Sequence, residues 1–257
     1  MRRTPAVLLL LVVSLSPVLA DDVWLKPESN SSDPKTIFVG AVMGAAFPKD
    51  DETKKASEYQ NVRLQQKGAT EALPASGKDS KLMGRITGGE AFFVSATGPT
   101  REIVLKPEEA KQYLKDVVGL NEAAMASLLD GAGRKLHETY SRTLKSLVIP
   151  STATFVPLDV PFGFPLEIHL LRYERSENGR KSFAFRLLKD AKPLAGASLR
   201  VVGPDGKTLK TRTDARGEAE VSIVKSGPIL IAFIEATGSG PGRYETRWTN
   251  LVIYDLR

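Results

Sequence analysis

The feature that most constrains the fold is a series of short strand candidates, separated by turn residues, that fills the last third of this 257-residue chain. The turns are rich in Gly, Pro, Asn and Asp, as at Asn178-Gly179 and Pro204-Asp205-Gly206. Between residues 218 and 223 apolar and polar residues alternate, which predicts a strand with one buried face. The seven candidates cover residues 166–173, 182–188, 197–202, 208–213, 218–224, 229–235 and 244–254. Strands of this number and spacing predict an immunoglobulin-like or transthyretin-like β-sandwich.

One of these candidates is expected in the middle of a sheet. Residues 229–234 are continuously apolar, whereas a strand with one face in water alternates. We therefore predict that residues 229–234 form a central strand.

The region before the sandwich is predicted to contain shorter strands. Residues 36–42 have the apolar composition of a strand. Residues 81–87 and 90–96 predict two strands of a hairpin closed by Gly88-Gly89. Residues 69–80 contain mostly Ala, Ser, Gly and Lys, which indicates a loop.

Two helices are predicted near residues 107–130. Pro107 is typical of a first helical turn, and Gly119 is typical of a helix end. Asn121 is a good N-cap for the second helix. Residues 134–148 fit either a helix or, over their last part, a strand, so the two alternatives stay open.

A cluster of prolines between residues 150 and 165 predicts an extended connection, and we place a domain boundary near residue 155. The predicted fold class is therefore mainly β. An N-terminal β-rich domain covers residues 21–154 and carries the short helical insertion. A C-terminal immunoglobulin-like or transthyretin-like β-sandwich covers residues 155–257.

Residues 1–20 have the order of a secretory signal peptide. Arg2 and Arg3 are followed by an apolar run over residues 6–15 and by Val18-Leu19-Ala20, which suits a cleavage site. The alternative is a membrane anchor, but the run is shorter than the roughly 20 residues that span a bilayer. No later segment is long and apolar enough to span. We predict export, with cleavage after residue 20, and a periplasmic or secreted protein.

Composition and motifs argue against several classes of function. The chain has no cysteine and two histidines, so thiolate and multi-histidine sites are not expected. For His169 a surface or edge position is favoured, and for His137 a solvated or capping one. The net charge of +6 is scattered, so no nucleic-acid partner is expected. Gly238-Ser239-Gly240-Pro241-Gly242 has a dinucleotide-like spacing but no following helix. We predict that the protein is not an enzyme.

Several short blocks follow one another along the chain. The first is Asp22-Val23-Trp24-Leu25-Lys26-Pro27. The others are Phe38-Val39-Gly40 with Ala46-Phe47-Pro48, and residues 92–95, 103–109, 138–145, 161–168, 192–197 and 213–217. Their joint order resembles the NikK-like family of bacterial periplasmic proteins, which carry a domain of unknown function and are associated with nickel or cobalt uptake.

The resemblance implies a metal site at the processed amino terminus. The family has a His there, whose amine and imidazole form a chelate suited to a transition metal such as Ni²⁺. Asp21 stands at that position here, so Asp21 and Asp22 are the candidate ligands for Ni²⁺ or Co²⁺ in a degenerate site. The implied partner is a metal permease or another envelope protein.

Trp24 and Trp248 are candidates either for packing or for a ligand platform. The function that we expect is an exported, non-catalytic binding protein, an accessory in periplasmic nickel or cobalt uptake with a degenerate metal site. The alternative is a structural or adhesion-type envelope module that binds protein or glycan through its immunoglobulin-like domain.

Overall fold

The computed structural model describes residues 21–29, 32–33, 35–74, 81–86, 89–130, 133, 135–153, 156 and 161–256. The predicted signal peptide and the predicted boundary near residue 155 lie outside these residues. Within them the chain is mainly β with two α-helices, which confirms the predicted fold class. Neither helix in this described part has the length and apolar character needed to cross a membrane.

The described strands and helices are numbered in chain order. The strands are β1 (Asp22–Ser29), β2 (Thr36–Gly44), β3 (Glu52–Lys54), β4 (Gln60–Gln66), β5 (Ala69–Ala72), β6 (Lys81–Arg85), β7 (Phe92–Thr97), β8 (Arg101–Leu105), β9 (Leu136–Ile149), β10 (Leu166–Arg175), β11 (Lys181–Lys189), β12 (Lys192–Pro193), β13 (Ser198–Val202), β14 (Thr208–Arg212), β15 (Glu218–Ile223), β16 (Ile229–Gly240) and β17 (Arg243–Asp255). The helices are α1 (Pro107–Tyr113) and α2 (Glu122–Leu129).

A nine-stranded sheet, called the central sheet below, joins strands from both ends of the chain. Its order is β14-β13-β16-β17-β9-β7-β4-β5, and β8 pairs with the first part of β9. β9 and β17 are parallel along their whole shared length, from His137 beside Arg243 to Ile149 beside Asp255. All other neighbouring strands in this sheet are antiparallel.

Two smaller sheets cover the two faces of the central sheet. The front sheet consists of β1, β2, β3 and β6, with β2 paired to each of the others. The back sheet consists of β10, β11, β12 and β15. The fold therefore has three β layers, and the middle layer is shared.

The middle layer is buried on both faces, and β16 shows this most clearly. Ile229 and Ile231 pack in the core formed with the back sheet. Leu230 and Ala232 point to the opposite face, where they share a core with Trp24 of β1. This arrangement confirms the prediction that residues 229–234 form a central strand, because a strand between two layers has no polar face.

The seven strands predicted after residue 166 are all present, as β10, β11 and β13 to β17. The predicted loop over residues 69–80 is wrong in its first part, because residues 69–72 form β5. Lys67 and Gly68, with φ of 50° and 77°, make the two-residue turn that joins β4 to β5. Both turn residues lie in the left-handed region, as a tight hairpin with right-handed twist requires.

The predicted hairpin between residues 81–87 and 90–96 is also wrong, although both segments form strands. β6 pairs with β2 in the front sheet, whereas β7 pairs with β4 and β9 in the central sheet. The physical reason is burial. Phe92 and Phe93 of β7 pack in opposite cores, so β7 needs a layer on each side.

Of residues 134–148, for which helix and strand were both open, residue 134 lies outside the described residues, and the rest form a strand from Leu136 onward. The two helices agree with their predicted signals. α1 begins at Pro107, continues through a π-helical turn and ends at Gly119, whose φ is 81°. The Asn121 side chain accepts a hydrogen bond from the Ala124 N–H at 2.9 Å and caps α2. Both helices pack beside the front sheet on the same face of the central sheet, against Ile234 and Tyr244.

The division into domains at residue 155 stays a prediction. The strands on its two sides are hydrogen-bonded to each other, because β9 and β17 are neighbours. The core beneath the back sheet likewise combines Phe93 and Leu147 with Ile231 and Leu251.

A buried ion pair fixes the connection that enters the back sheet. Lys145 Nζ lies 2.7 Å from Glu167 Oε1, and both residues are 1% exposed. The Glu167 carboxylate also accepts hydrogen bonds from the backbone N–H groups of Phe162, Gly163 and Phe164. One carboxylate thus ties the residues before β10 to the central strand β9.

We expect Glu167→Gln to lower the free energy of unfolding by about 3–5 kcal/mol, because it removes the Glu167 countercharge from the buried Lys145 ammonium group. Urea unfolding followed by circular dichroism measures the loss. The matched control is Glu174→Gln, at an exposed position of the same strand, which should stay within about 0.5 kcal/mol of the wild type. Equal effects of the two substitutions would contradict the assigned role of the buried pair.

Candidate functional site

Two sizeable cavities lie near opposite ends of β9. The larger, of about 510 Å³, has a mostly apolar lining that includes Pro27, Ile37, Phe92 and Tyr254. The one charged side chain in that lining is Glu28, and its carboxylate is paired with Lys81. The smaller cavity, of about 150 Å³, combines aromatic, acidic and guanidinium groups. We place the candidate site there because the chemistry, rather than the volume, indicates binding.

This smaller cavity is called the Arg142 cleft. It lies next to α1, on the face of the central sheet that the front sheet and the helices cover. Three strands and one helix form it. The lining residues are Ile103 and Leu105 of β8, Tyr113 of α1, Glu138, Tyr140 and Arg142 of β9, and Trp248 of β17. Alternation along β9 places its three lining residues on one face, and the β9–β17 register sets Trp248 beside Arg142.

The Arg142 guanidinium packs against two aromatic rings and not against any described acidic side chain. Its guanidinium carbon lies 4.9 Å from the Trp248 ring centre and 5.1 Å from the Tyr140 ring centre. The side chain donates one hydrogen bond, a long one of 3.4 Å to the Asp21 carbonyl. The buried Nε of Arg142 has no hydrogen-bond partner. In the described part of the chain the Arg142 side chain forms no salt bridge. A cation over two aromatic faces is stabilised without using its N–H donors.

Glu138 forms the deepest part of the cleft and is 2% exposed. Three hydroxyl groups donate to its carboxylate: those of Tyr113 at 3.1 Å, Tyr244 at 3.2 Å, and Thr246 in a short contact. Burial raises the pKa of Glu138 above its ordinary value, and these hydroxyls partly oppose the rise. Burial and the nearby carboxylate together raise the pKa values of Tyr113 and Tyr244.

A second, adjoining cavity of about 80 Å³ shares Tyr140 and Arg142 with the cleft. Its wall also includes Glu58, Tyr59 and Arg101. Glu58 forms a short ion pair with Arg101, so the Glu58 carboxylate is not the countercharge of Arg142. Burial raises the pKa of Tyr59 to about 12, which keeps its phenol neutral.

Side chains of the central sheet donate hydrogen bonds to the backbone of β1 and of Asp21, the residue before it, and so fix this strand beside the cleft. Arg142 donates to the carbonyl of Asp21, Asn250 to that of Val23 at 2.6 Å, and Ser146 to that of Leu25 at 2.6 Å. These alternate carbonyls belong to the edge of β1 that faces away from β2. Their satisfaction explains how an edge strand can be buried, since unpaired buried carbonyls are costly.

The two predicted metal ligands lie at the start of this strand. Asp22 is 7% exposed, and Arg200 binds both of its carboxylate oxygens, one of them at 3.1 Å. Asp21 has the Arg142 guanidinium against its carbonyl. Among the described residues, no three His, Cys, Asp or Glu side chains are placed to hold a metal ion. The residues present do not fit a resident Ni²⁺ or Co²⁺, because Arg200 occupies the Asp22 carboxylate and a second guanidinium, that of Arg142, lies against the Asp21 carbonyl.

The two tryptophans occupy different environments. Trp24 is 1% exposed and packs edge-to-face on Phe47, with ring centres 5.2 Å apart. Trp248 is half-buried, lines the Arg142 cleft, and stacks with Tyr113 at 6.2 Å. Trp24 therefore packs in a core, whereas Trp248 both packs on Tyr113 and borders the cleft, and its role as a ligand platform stays a prediction. The two histidines lie outside this cleft, with His137 exposed on β9 and His169 half-buried on β10.

Sequence reasoning did not single out Glu138, Tyr140 and Arg142 as a site. A signal was present, because these residues alternate with Thr139 and Ser141 as they would along a strand. Reading the segment as a strand from its start would have placed the acid, the phenol and the guanidinium on one face.

We expect Glu138→Gln to change how stability depends on pH. The folded protein binds the Glu138 proton more tightly than the unfolded chain does, so the wild type loses stability as pH rises from about 4.5 through the raised pKa. The variant lacks this titration, and its free energy of unfolding relative to the wild type should therefore increase with pH. Urea unfolding across that range measures the difference. Glu245→Gln, at an exposed position of β17, is the control, and a pH-independent difference for Glu138→Gln would contradict the assignment.

We expect the chain that begins at Asp21 to show no micromolar binding of Ni²⁺ or Co²⁺ in calorimetric titration. Asp21→His is the positive control, because it restores an amine and imidazole on one residue and should bind Ni²⁺ at least about tenfold more tightly. Micromolar binding by the unsubstituted chain, lost when the terminal amine is acetylated, would contradict this expectation.

Structural comparison gives weak similarities to three solved structures. A bacterial ice-binding adhesin described for host cell surface retention aligns with 91% of this chain and 65% of its own, at 14% identity and a TM-score of 0.25. A Ca²⁺-stabilized adhesin of an Antarctic bacterium aligns with 91% and 49%, at 13% identity and a TM-score of 0.26. The D0-D1 domain of intimin aligns with 91% and 97%, at 12% identity and a TM-score of 0.20. The chain thus spans less than two thirds of either adhesin chain, and these TM-scores are too low to carry an argument.

Sequence comparison gives a clear family match. No curated protein matches the chain. A family model described as a domain of unknown function matches residues 18–236, which is most of the chain. The match includes β1, both helices and every described lining residue of the Arg142 cleft except Trp248. The chain therefore belongs to the family described as "Domain of unknown function (DUF4198)".

Proposed function

We propose that this chain is an exported, non-catalytic binding protein that holds a small organic ligand in the Arg142 cleft. The observation that carries the proposal is the state of Arg142 itself. A guanidinium with five N–H donors makes one long hydrogen bond, forms no salt bridge among the described residues, and borders two cavities. Arginine held in this way is typical of recognition sites, because a ligand can supply the missing acceptors.

The rest of the cleft supports binding through its rigidity. Glu138 is fixed by three hydroxyl donors, and Trp248 is fixed between Tyr113 and Arg142. Side chains with few remaining rotamers lose little entropy when a ligand arrives. A preformed cleft of this kind favours affinity.

The same contacts favour holding a ligand over transferring a proton. Glu138 is the acid of the cleft, and its oxygens are already occupied by hydroxyl donors. Burial keeps the pKa values of Tyr113 and Tyr244 far above neutrality, so neither phenol is suited to act as a base.

The proposal that the protein is exported rests on the signal-like sequence of residues 1–20. An exported protein would be periplasmic or secreted. The finer version, an accessory of nickel or cobalt uptake that works with a metal permease, rests on the NikK-like resemblance alone. We favour an organic ligand over that version because Asp22 is engaged by Arg200. An adhesion-type module would instead use an exposed surface and would not need the cleft.

Titration of the protein with small ring compounds, one anionic, one neutral and one cationic, tests the proposal through tryptophan fluorescence. Trp248 lines the cleft, whereas Trp24 is buried elsewhere and supplies a constant background. At least one compound should give a saturable change with a Kd on the order of 1 mM or tighter. The change should be lost in Trp248→Phe, which identifies the reporting ring.

The matched pair of variants is Arg142→Ala and Arg172→Ala. Arg172 is an exposed arginine of β10 that pairs with Glu220 on the back sheet, far from the cleft in the fold. Binding should disappear in Arg142→Ala and persist in Arg172→Ala, with both variants retaining the wild-type circular dichroism spectrum. No saturable change with any of the three compounds would overturn the proposed function.

A further inference from the structure

Resting on the proposed binding function, we infer that the Arg142 cleft selects a small monocarboxylate with a single aromatic ring. The inference combines three features of the cleft: the Arg142 guanidinium, which forms no salt bridge among the described residues, the size of the cavity, and the apolar character of its walls.

The charge argument comes from the acids around Arg142, each of which already has another partner. Asp22 is bound by Arg200, and Glu58 is paired with Arg101. Glu138 receives three hydroxyl donors. Arg142 attracts the Glu138 carboxylate and partly opposes the rise that burial causes in the pKa of that group, but it forms no salt bridge among the described residues. Its terminal N–H groups therefore remain available to an anionic acceptor. An anionic group is the ligand chemistry that supplies such an acceptor.

The geometry of the guanidinium favours a carboxylate as that group. The rings of Tyr140 and Trp248 are close to the guanidinium carbon, and Nε is buried. The terminal nitrogens remain as donors, and one of them makes only the long contact to Asp21. Two oxygens of one carboxylate match two neighbouring N–H groups of an arginine. A phosphate would bring a second negative charge towards Glu138, and among the described lining residues Arg142 is the one cation that could offset it.

The size and the walls define the body of the ligand. The cleft measures about 150 Å³, which is comparable to the engineered protein cavity of about this volume that binds benzene. Ile103 and Leu105 give it an aliphatic side, and Tyr113 and Trp248 give it aromatic faces. A single ring fills such a space, whereas a peptide segment would exceed it. The ring stacks on an aromatic wall while its carboxylate reaches Arg142.

Calorimetric titration of the full protein with four probes tests this inference. The probes are benzoate, its neutral isostere benzamide, acetate, which lacks the ring, and phenyl phosphate, which carries the extra charge. Benzoate should bind most tightly. Each of the other three should bind at least about tenfold more weakly. Benzamide lacks the carboxylate charge, acetate lacks the ring, and phenyl phosphate brings a second negative charge.

Two substitutions of Arg142 distinguish the effect of its positive charge from the effect of its paired N–H groups. Arg142→Lys keeps the charge and loses the two-nitrogen fork, so benzoate should bind about tenfold more weakly. Arg142→Gln loses both, and benzoate binding should fall below detection. Arg172→Gln on the back sheet should leave benzoate affinity within about twofold of the wild type. Thermal unfolding of each variant checks that the fold is retained.

Benzamide that binds as tightly as benzoate, or a cationic ring compound such as benzylamine that binds more tightly, would overturn the carboxylate inference. In both cases the cleft would still hold a ligand, so the proposed binding function would stand. Failure of every ring compound, whatever its charge, would instead remove the proposed function.

Discussion

The parallel pairing of β9 with β17 is the contact on which the rest of the fold depends. It joins residues that lie about a hundred positions apart into the middle of one nine-stranded sheet. That sheet then offers two apolar faces, one for the back sheet and one for the front sheet and helices. Without this pairing neither outer sheet would have a complete surface to cover, because each rests on strands from both parts of the chain.

The same pairing creates the Arg142 cleft. Parallel register sets Trp248 beside Arg142 and Tyr244 beside Glu138, so the ring, the cation and the acid share one patch of the central sheet. Arg142 also donates to the carbonyl of Asp21, and it therefore contributes both to seating β1 and to the cleft wall. The buried Glu138 carboxylate, which would be costly in a closed core, is retained at this junction because three hydroxyl groups donate hydrogen bonds to it.

The family-like blocks of the sequence have a structural explanation in these contacts. Trp24 of the first block packs on Phe47 of the second. Glu167, at the end of the block that begins at Pro161, binds Lys145 and the backbone that precedes it. These blocks are separated in sequence and meet in space. Their joint order therefore reflects the requirements of the fold, while Asp21, at the position of the expected histidine, lies outside those packing contacts.

The sequence by itself determined the strands of the last third, the central position of residues 229–234, and the ends of both helices. These depend on periodicity, turn residues and caps, which act over a few neighbouring residues. Only the tertiary structure decided that β6 and β7 belong to different sheets, that residues 136–149 form one long strand, and that Arg142 meets Trp248. Those outcomes depend on which distant strands become neighbours, and that choice is set by the burial of whole sheet faces, a quantity that no local pattern contains.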